Sequence, residues 1–166
     1  MVNIHTYDYH GHWFGTTGHH SPISRIQSAK DPSFNVVCVD FLLVSNSCQA
    51  RTWFCLQEDI AQYYVSNGLS KAKINIGLPF YGQTFMSKSA SVGAQSQSAG
   101  SPGPSTNQQG MLSYSEICKM VKSNKLKTST TPEGLVFAHD RSTGLWVSYD
   151  NIKAIAEKAK FVMDKG

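Results

Sequence analysis

Apolar and polar residues alternate at the start of the chain in the pattern of a short β-strand. The two apolar side chains of residues 2–4 are two positions apart, and Gly11 later interrupts the pattern. Residues 73–82, KINIGLPFYG, repeat the alternation and predict a second strand. Between them, residues 58–67 place apolar side chains at helical spacing behind an acidic first turn, and Gly68 favours a stop. Strand, helix and strand in this order predict a βαβ unit with a parallel sheet.

The second half of the chain predicts a smaller unit of mixed helix and strand. Residues 83–109 are rich in Ser, Gly, Ala and Gln, which predicts a long polar excursion with little core of its own. Residues 112–126 carry apolar side chains at helical spacing, and residues 135–149 predict a hairpin that turns at 142–144. We therefore expect an α+β unit inserted between a strand and a final helix.

The final helix is predicted over residues 151–164, with Asn151 as its N-cap. Its predicted apolar face consists of Ile152, Ile155, Ala156, Ala159 and Val162. Such a helix normally leads into another strand, so we expect the chain to stop within a longer α/β fold.

Composition fits a globular chain and excludes several classes. The 166 residues include 40% apolar and 11% aromatic residues, enough to bury a core. The net charge of +4 is spread thinly, which argues against a nucleic-acid partner. No apolar run reaches the roughly 18 residues of a membrane span, so no membrane partner is predicted. The N-terminus also lacks the pattern of a signal peptide.

Cysteine and histidine spacing gives no convincing metal site. Four cysteines could form two disulfides, but three of them crowd together without paired C-x-x-C spacings, so structural zinc is disfavoured. The histidines of the loop after the first strand could in principle bind zinc, but no Asp or Cys completes the set. We therefore predict no metal and no cofactor. The residues considered are Cys38, Cys48, Cys55, Cys118, His10, His12, His19 and His20.

Five motifs in order resemble the later part of a glycoside hydrolase family 18 chitinase domain. They are VNIHTYDYHGHW, TTGHHSPIS, INIGLPFYGQTF, GMLSYSEIC and GLWVSYDN. The resemblance implies an α/β fold, a partial TIM (β/α)8 barrel with a small α+β insertion domain after strand seven. It assigns residues 1–82 to strands six and seven with the helix between them. It assigns residues 83–149 to the insertion domain and residues 150–166 to helix seven.

The resemblance also implies a function. A family member of this kind is a secreted, extracellular chitinase that hydrolyses β-1,4-linked N-acetylglucosamine polymers with retention. The substrate's own 2-acetamido carbonyl attacks the anomeric carbon, and a Glu ending an Asp-x-x-Asp-x-Asp-x-Glu motif donates the proton. The partners implied are chitin or chitooligosaccharides, and the intact protein is expected to be a monomer.

The acid motif does not occur in this sequence. We therefore expect the chain to be a fragment that has no hydrolase activity of its own and is at best marginally folded. The alternative function is a non-catalytic, lectin-like chitin-binding protein of the same fold. A structural fragment without a ligand is a third reading.

Two residues at the end of the first strand match family residues that contact the N-acetyl group. By the resemblance, Tyr7 and Asp8 orient that group through hydrogen bonds and support its developing positive charge. On residue chemistry alone, Asp8 could equally cap a loop and Tyr7 could simply pack. Trp13 matches a tryptophan that stacks on a sugar ring, with a plain core position as the alternative.

The resemblance places further substrate-binding residues in the cleft, with three departures from the family pattern. Tyr81 matches a cleft tyrosine, and Met111 matches an apolar residue that lines the cleft. Gln83 stands where Arg is common, and Gln108 stands where some members have Glu. These neutral amides lose charge assistance to a hydrogen bond. His5 stands where Met is common.

Residues 37–57 have no counterpart in the family pattern. Removing them joins FNV to EDIAQYY without a break, so we interpret them as a translated intron or a gene-model error. A genuine inserted strand with a loop is the alternative. Cys118 matches a family cysteine whose usual disulfide partner lies beyond strand eight, outside this chain, and this is consistent with a secreted parent protein.

Overall fold

The computed structural model of the protein describes residues 1–23 and 57–166. The strands are Val2–Ile4 (β1), Ile74–Ile76 (β2), Tyr81–Met86 (β3), Ser98–Ala99 (β4), Met111–Ser113 (β5), Lys127–Thr130 (β6), Val136–His139 (β7) and Leu145–Ser148 (β8). The helices are Gln57–Ser66 (α1), Tyr114–Lys122 (α2) and Ile152–Lys165 (α3).

The interpretation of residues 37–57 as an intron lies outside the described residues, except at its last position. Gln57 is the first residue of α1, so this position belongs to the helix. Three of the four cysteines also lie outside the described residues, and Cys118 forms no disulfide within the described ranges.

The first sheet confirms the predicted strand, helix and strand. β1 and β2 run parallel, with Val2 opposite Ile74. The predicted strand over residues 73–82 is too long, because β2 ends at Ile76 and β3 belongs to the other sheet. One more backbone bond, from the Gly77 N–H to the Ile4 carbonyl, extends the pairing at 2.9 Å. Pro79 then has no N–H to continue the ladder.

The second sheet has the strand order β4-β3-β8-β7-β6, and β5 also pairs with β3. Its pairings are antiparallel, and the β7–β8 pair confirms the predicted hairpin. In the turn, the Ser142 and Thr143 hydroxyl groups donate to the Asp140 carboxylate, and Gly144 takes a φ of 80° that suits glycine.

The prediction of a polar excursion with little core of its own over residues 83–109 is wrong at its start. β3 lies inside the sheet, with β8 on one side and β4 and β5 on the other. Its residues Gln83, Thr84 and Phe85 are buried. The composition misled because two of these three side chains are polar, and their burial depends on neighbours that lie far away in the sequence.

Aromatic rings occupy the part of the core that faces the first segment of the chain. Phe85 and Trp146 are fully buried with ring centroids 5.4 Å apart and nearly perpendicular, and Phe137 stacks on Trp146 at 5.0 Å. A second group of buried apolar side chains packs α2 and α3 against the sheet. It consists of Leu112, Ile117, Leu126, Val136, Ala138, Val147, Tyr149 and Ala154.

Helix α2 begins two residues later than the pattern predicted, because Ser113 is its N-cap. The Ser113 hydroxyl accepts from the Glu116 N–H, and the Glu116 carboxylate accepts from the Ser113 N–H at 2.8 Å. The same carboxylate accepts from the N–H groups of Ser105 and Thr106 and from the Thr106 hydroxyl. Glu116 therefore ties the loop before β5 to the start of α2.

Substituting Glu116 by Gln is expected to destabilise the fold by about 2 kcal/mol, since an amide cannot accept at both ends. Burial, the largest influence, raises the pKa of Glu116, but these hydrogen bonds outweigh it and hold the pKa at about 2. Because the pKa in the folded state lies below the ordinary value of 4.5, the ionised Glu116 stabilises the fold at pH values above 4.5. This contribution is lost as the pH falls towards 2.

Urea unfolding at pH 7 and at pH 3 tests this. The difference between wild type and Glu116→Gln should shrink at the lower pH. Glu157→Gln, a change on the exposed side of α3, is the matched control and should leave stability within about 0.5 kcal/mol. Equal stability of the Glu116 variant and wild type at pH 7 would contradict the anchoring role.

Helix α3 has the predicted N-cap but not the predicted apolar face. The Asn151 side chain accepts from the Ala154 N–H at 2.9 Å. Ile152 is 80% exposed, whereas Ala154 and Lys158 are buried. Of the other residues of the predicted face, Ala156, Ala159 and Val162 are exposed and Ile155 is half-buried. The helix faces inward through Lys158, whose ammonium group has buried polar partners there.

No helix in the described part of the chain is long and apolar enough to cross a membrane.

Candidate functional site

The candidate site is centred on Asp8, just beyond the end of β1. Its carboxylate accepts the Tyr81 hydroxyl at 2.6 Å and the Gln83 side-chain amide at 2.8 Å, each through a different oxygen. Both donors stand on β3, so the site joins the end of the first sheet to the start of the second. The Asp8 side chain remains 30% exposed. A ligand can therefore still reach the carboxylate.

The Asp8 backbone has a left-handed φ of 63°, a conformation that Asp tolerates better than most residues. Such strain persists where the surroundings hold it in place and is frequent at functional sites. Here the two hydrogen bonds from β3 supply that restraint.

The same contacts fix the protonation state of the site. Burial, the largest influence, raises the pKa of Asp8, but the contacts with His20, Tyr81 and Gln83 outweigh it and hold the pKa at about 2. Burial and the adjacent Asp8 carboxylate raise the pKa of Tyr81 far above its ordinary value. At neutral pH the pair therefore consists of an ionised acceptor and a neutral donor.

Tyr7 lies beside this pair. Its ring is 5.9 Å from the Tyr81 ring and perpendicular to it, and the ring of His5 meets its other edge at 3.8 Å. The Tyr7 side chain is half-buried. It thus packs within the site while part of it remains accessible.

Trp13 is an exposed aromatic residue and not a core residue. It lies in a short 3-10 turn, His12–Phe14, and is 54% exposed. A Cβ added at Gly11 would lie 2.2 Å from its ring, so glycine is required for the ring to fold back over the chain. The turn packs against β3 and β4.

Gln108 lies in the loop before β5, and Met111 is the first residue of that strand. Met111 pairs with Gln83 in the antiparallel register of β5 and β3, and it is half-buried. Gln108 is exposed, and its carbonyl accepts from the Met111 N–H. The structure thus groups Asp8 with Tyr7, Tyr81 and Gln83. It shows no direct contact of Trp13 or Gln108 with Asp8.

His20 is a member of this group that sequence reasoning weighed only as a zinc candidate. Its side chain is 1% exposed, its Nδ1 lies 3.6 Å from Asp8 Oδ1, and its ring centroid lies 5.3 Å from that of Tyr81. No local pattern could reveal this, since the backbone pairing of Tyr9 with His20 turns the loop back onto the site. Within the described ranges, no three His, Cys, Asp or Glu side chains are arranged to hold a metal ion.

A buried polar network supports the site from behind. Lys158 is 2% exposed and donates to the Asp150 carboxylate and, at 2.7 Å, to the Ser21 hydroxyl. Ser21 donates to the Thr6 carbonyl at 3.1 Å, and Gln57 donates to the same carbonyl at 3.0 Å. Helices α1 and α3 are therefore both fastened to the segment that carries Asp8 and His20.

Sequence reasoning missed the network because a lysine within an amphipathic helix normally predicts a solvent-exposed position. The one signal in the sequence was Asp150, which directly precedes the capping residue Asn151 and pairs with Lys158. Burial lowers the pKa of Lys158, and Asp150 opposes this effect.

Comparisons with known proteins agree on one family. A sequence model described as "Glycosyl hydrolases family 18" matches residues 1–166. Human Chitinase-3-like protein 2 is 30% identical over 98% of this chain and 37% of its own length. Catalytic domain 2 of the Group II chitinase of Ostrinia furnacalis is similar with a TM-score of 0.77 at 30% identity, over 98% of this chain and 38% of that chain.

Human YKL-39, described as a pseudo-chitinase with retained chitooligosaccharide binding properties, is similar with a TM-score of 0.78 at 27% identity. That likeness covers 99% of this chain and 40% of YKL-39. The chain thus spans well under half the length of these relatives. They include a chitinase and a pseudo-chitinase, and the similarity implies a TIM-barrel-type fold. The chain belongs to glycosyl hydrolase family 18, as a chitinase or chitinase-like member.

Proposed function

We propose that the protein binds β-1,4-linked N-acetylglucosamine polymers or oligomers at Asp8, as part of a secreted chitinase-type glycoside hydrolase. One observation carries the proposal: an ionised carboxylate held by Tyr81 and Gln83 is still 30% exposed. A fixed, accessible acceptor of this kind suits the N–H of an acetamido group.

The chemistry follows from the donor and acceptor types. Asp8 accepts from the acetamido N–H, and the Tyr7 hydroxyl donates to the acetamido carbonyl oxygen. This pair holds the carbonyl oxygen for attack on the anomeric carbon, and the Asp8 charge stabilises the positive charge that develops. Trp13 offers its exposed face to a sugar ring. Gln108 and Met111 complete the proposed ligand-binding set, and Gln83, which is buried, contributes through the Asp8 carboxylate that it holds.

The proposal includes an arrangement of the chain. Residues 1–82 supply barrel strands six and seven, residues 83–149 supply the inserted α+β domain, and residues 150–166 supply helix seven. The parallel pairing of β1 with β2 and the antiparallel second sheet support two such units, although β3 begins at Tyr81 and so starts the second unit two residues before the proposed boundary.

The chain binds and orients but supplies no acid, because its sequence contains no Asp-x-x-Asp-x-Asp-x-Glu motif. That absence equally supports the second candidate function, a non-catalytic chitin-binding protein of the same fold. The chitooligosaccharide binding described for human YKL-39, a pseudo-chitinase, also favours this second candidate function. In a longer protein that contains this chain, a Glu ending the acid motif implies hydrolysis, and a neutral residue implies binding alone.

Removing the Trp13 ring tests the proposed binding. Trp13→Ala should weaken affinity for chitotetraose about tenfold, because an exposed aromatic platform is a typical energetic centre of a sugar site. Isothermal titration calorimetry measures the change.

Phe80→Ala is the matched control, since Phe80 is also an exposed aromatic residue, at 72% exposure, and has no assigned role at the site. It should leave the affinity within twofold. Unchanged affinity in the Trp13 variant would overturn the stacking role, and no binding by the wild type would overturn the proposed function.

A further inference from the structure

His20 is a buried imidazole beside the carboxylate of the candidate site. Its Nδ1 is 3.6 Å from Asp8 Oδ1, and neither ring nitrogen makes a hydrogen bond within the described part of the chain. A buried ring nitrogen without a hydrogen bond lowers the stability of the fold, so its presence calls for a functional or structural explanation. At 3.6 Å, a small movement of either side chain would make the missing bond.

The backbone holds His20 in this place. Its N–H donates to the Ser148 hydroxyl at 3.1 Å, and its carbonyl accepts from the Tyr9 N–H at 2.9 Å. The next residue, Ser21, is fixed by Lys158 and Gln57. The ring therefore has a defined position against Asp8.

Among the residues that the structure describes, Asp8 is the anionic group beside His20. Tyr81 is neutral, and the Lys158 ammonium group is paired with Asp150. His19 is fully buried, and burial above all holds its pKa at about 3, so it stays neutral near pH 7. Burial likewise lowers the pKa of His10, which the Thr16 carbonyl opposes.

We propose that His20 is a positioning residue that acts through Asp8. When its ring is protonated, it forms an ion pair that holds the carboxylate and weakens the binding of that carboxylate to an N-acetyl sugar. The inference rests on the proposed function, since it concerns the same site. When His20 is neutral, the hydrogen bonds to Asp8 come from Tyr81 and Gln83, and the carboxylate remains free to accept the ligand N–H. An imidazolium would form an ion pair at Oδ1 and draw the negative charge away from the ligand.

The first test needs no ligand. The ring signals of His20 are followed by NMR between pH 5 and 9 in the full chain and in Asp8→Asn. The midpoint of its titration should be lower in the variant than in wild type, because an adjacent anion favours the imidazolium. Asp164→Asn, an exposed change on α3, is the control and should leave the midpoint unchanged. An unchanged midpoint in Asp8→Asn would overturn the inference.

The second test measures chitotetraose affinity at pH 5.5 and pH 8. Wild type should bind about threefold to tenfold more tightly at pH 8, whereas His20→Asn and His20→Gln should show no such difference. Asp164→Asn should keep the wild-type dependence. Binding whose pH dependence survives both His20 substitutions would overturn this inference alone. No binding by the wild type at either pH would overturn the proposed function and this inference with it.

Discussion

Asp8→Asn is expected to lower turnover roughly 10²- to 10⁴-fold in a catalytically active full-length protein that contains this chain. Each Asp8 oxygen accepts a different donor, Tyr81 on one side and Gln83 on the other. An asparagine must turn its NH₂ group towards one of these donors and lose that bond. The change also removes the negative charge that supports the acetamido group as it attacks.

Initial rates on chitin oligomers, with a thermal melt of each variant, measure the effect. Asp164→Asn removes an exposed carboxylate from α3 and should keep wild-type rates. A folded Asp8→Asn enzyme with wild-type turnover would refute the assigned role of Asp8.

The 166-residue chain alone is expected to show no turnover above the buffer blank. A general acid must hold a proton near neutral pH and reach the leaving oxygen. Glu116 fails this requirement, since its pKa is held at about 2 and its carboxylate is occupied by hydrogen bonds from the loop and Ser113. Asp150 is paired with buried Lys158, and Glu58 is paired with Lys165 on the outer side of α1 and α3.

Product formation from chitin oligomers by the purified chain is the measurement, with a far-ultraviolet spectrum and a thermal melt to establish folding. Glu116→Gln and Glu58→Gln are the companion variants. Turnover that one of them abolishes would show that its carboxylate acts as the acid, and the account of a chain without an acid would then be wrong.

Elements with strong local patterns were predictable from the sequence. The periodic apolar residues of α1 and the alternation in β1 and β2 led to the right elements, and turn residues located the β7–β8 hairpin. β3 was missed because its buried positions include Gln83 and Thr84. Their strand pairs with β8, a partner more than 60 residues away along the chain, so no local pattern marks these positions as buried.

The candidate site was predictable in part, for the same physical reason. Asp8, Tyr81 and Gln83 could be named from motif resemblance, and the structure places them in contact. His20 and Lys158 could not, since their roles depend on loops and helix rotation that bring distant residues together. Neither a buried lysine nor a buried imidazole without a hydrogen bond can be recognised from the periodicity of the sequence.

The proposed function requires Asp8 and its neighbours to recognise the N-acetyl group of a sugar. Calorimetric titration with chitotetraose and with cellotetraose, in a full-length protein that contains this chain, separates recognition of this group from binding to the sugar chain alone, because the two ligands share linkage and length and differ in the acetamido group. We expect measurable binding of chitotetraose and an affinity for cellotetraose that is at least about tenfold weaker, because the polar acceptor of the site loses its partner. Equal affinity for the two tetramers would contradict the proposed function.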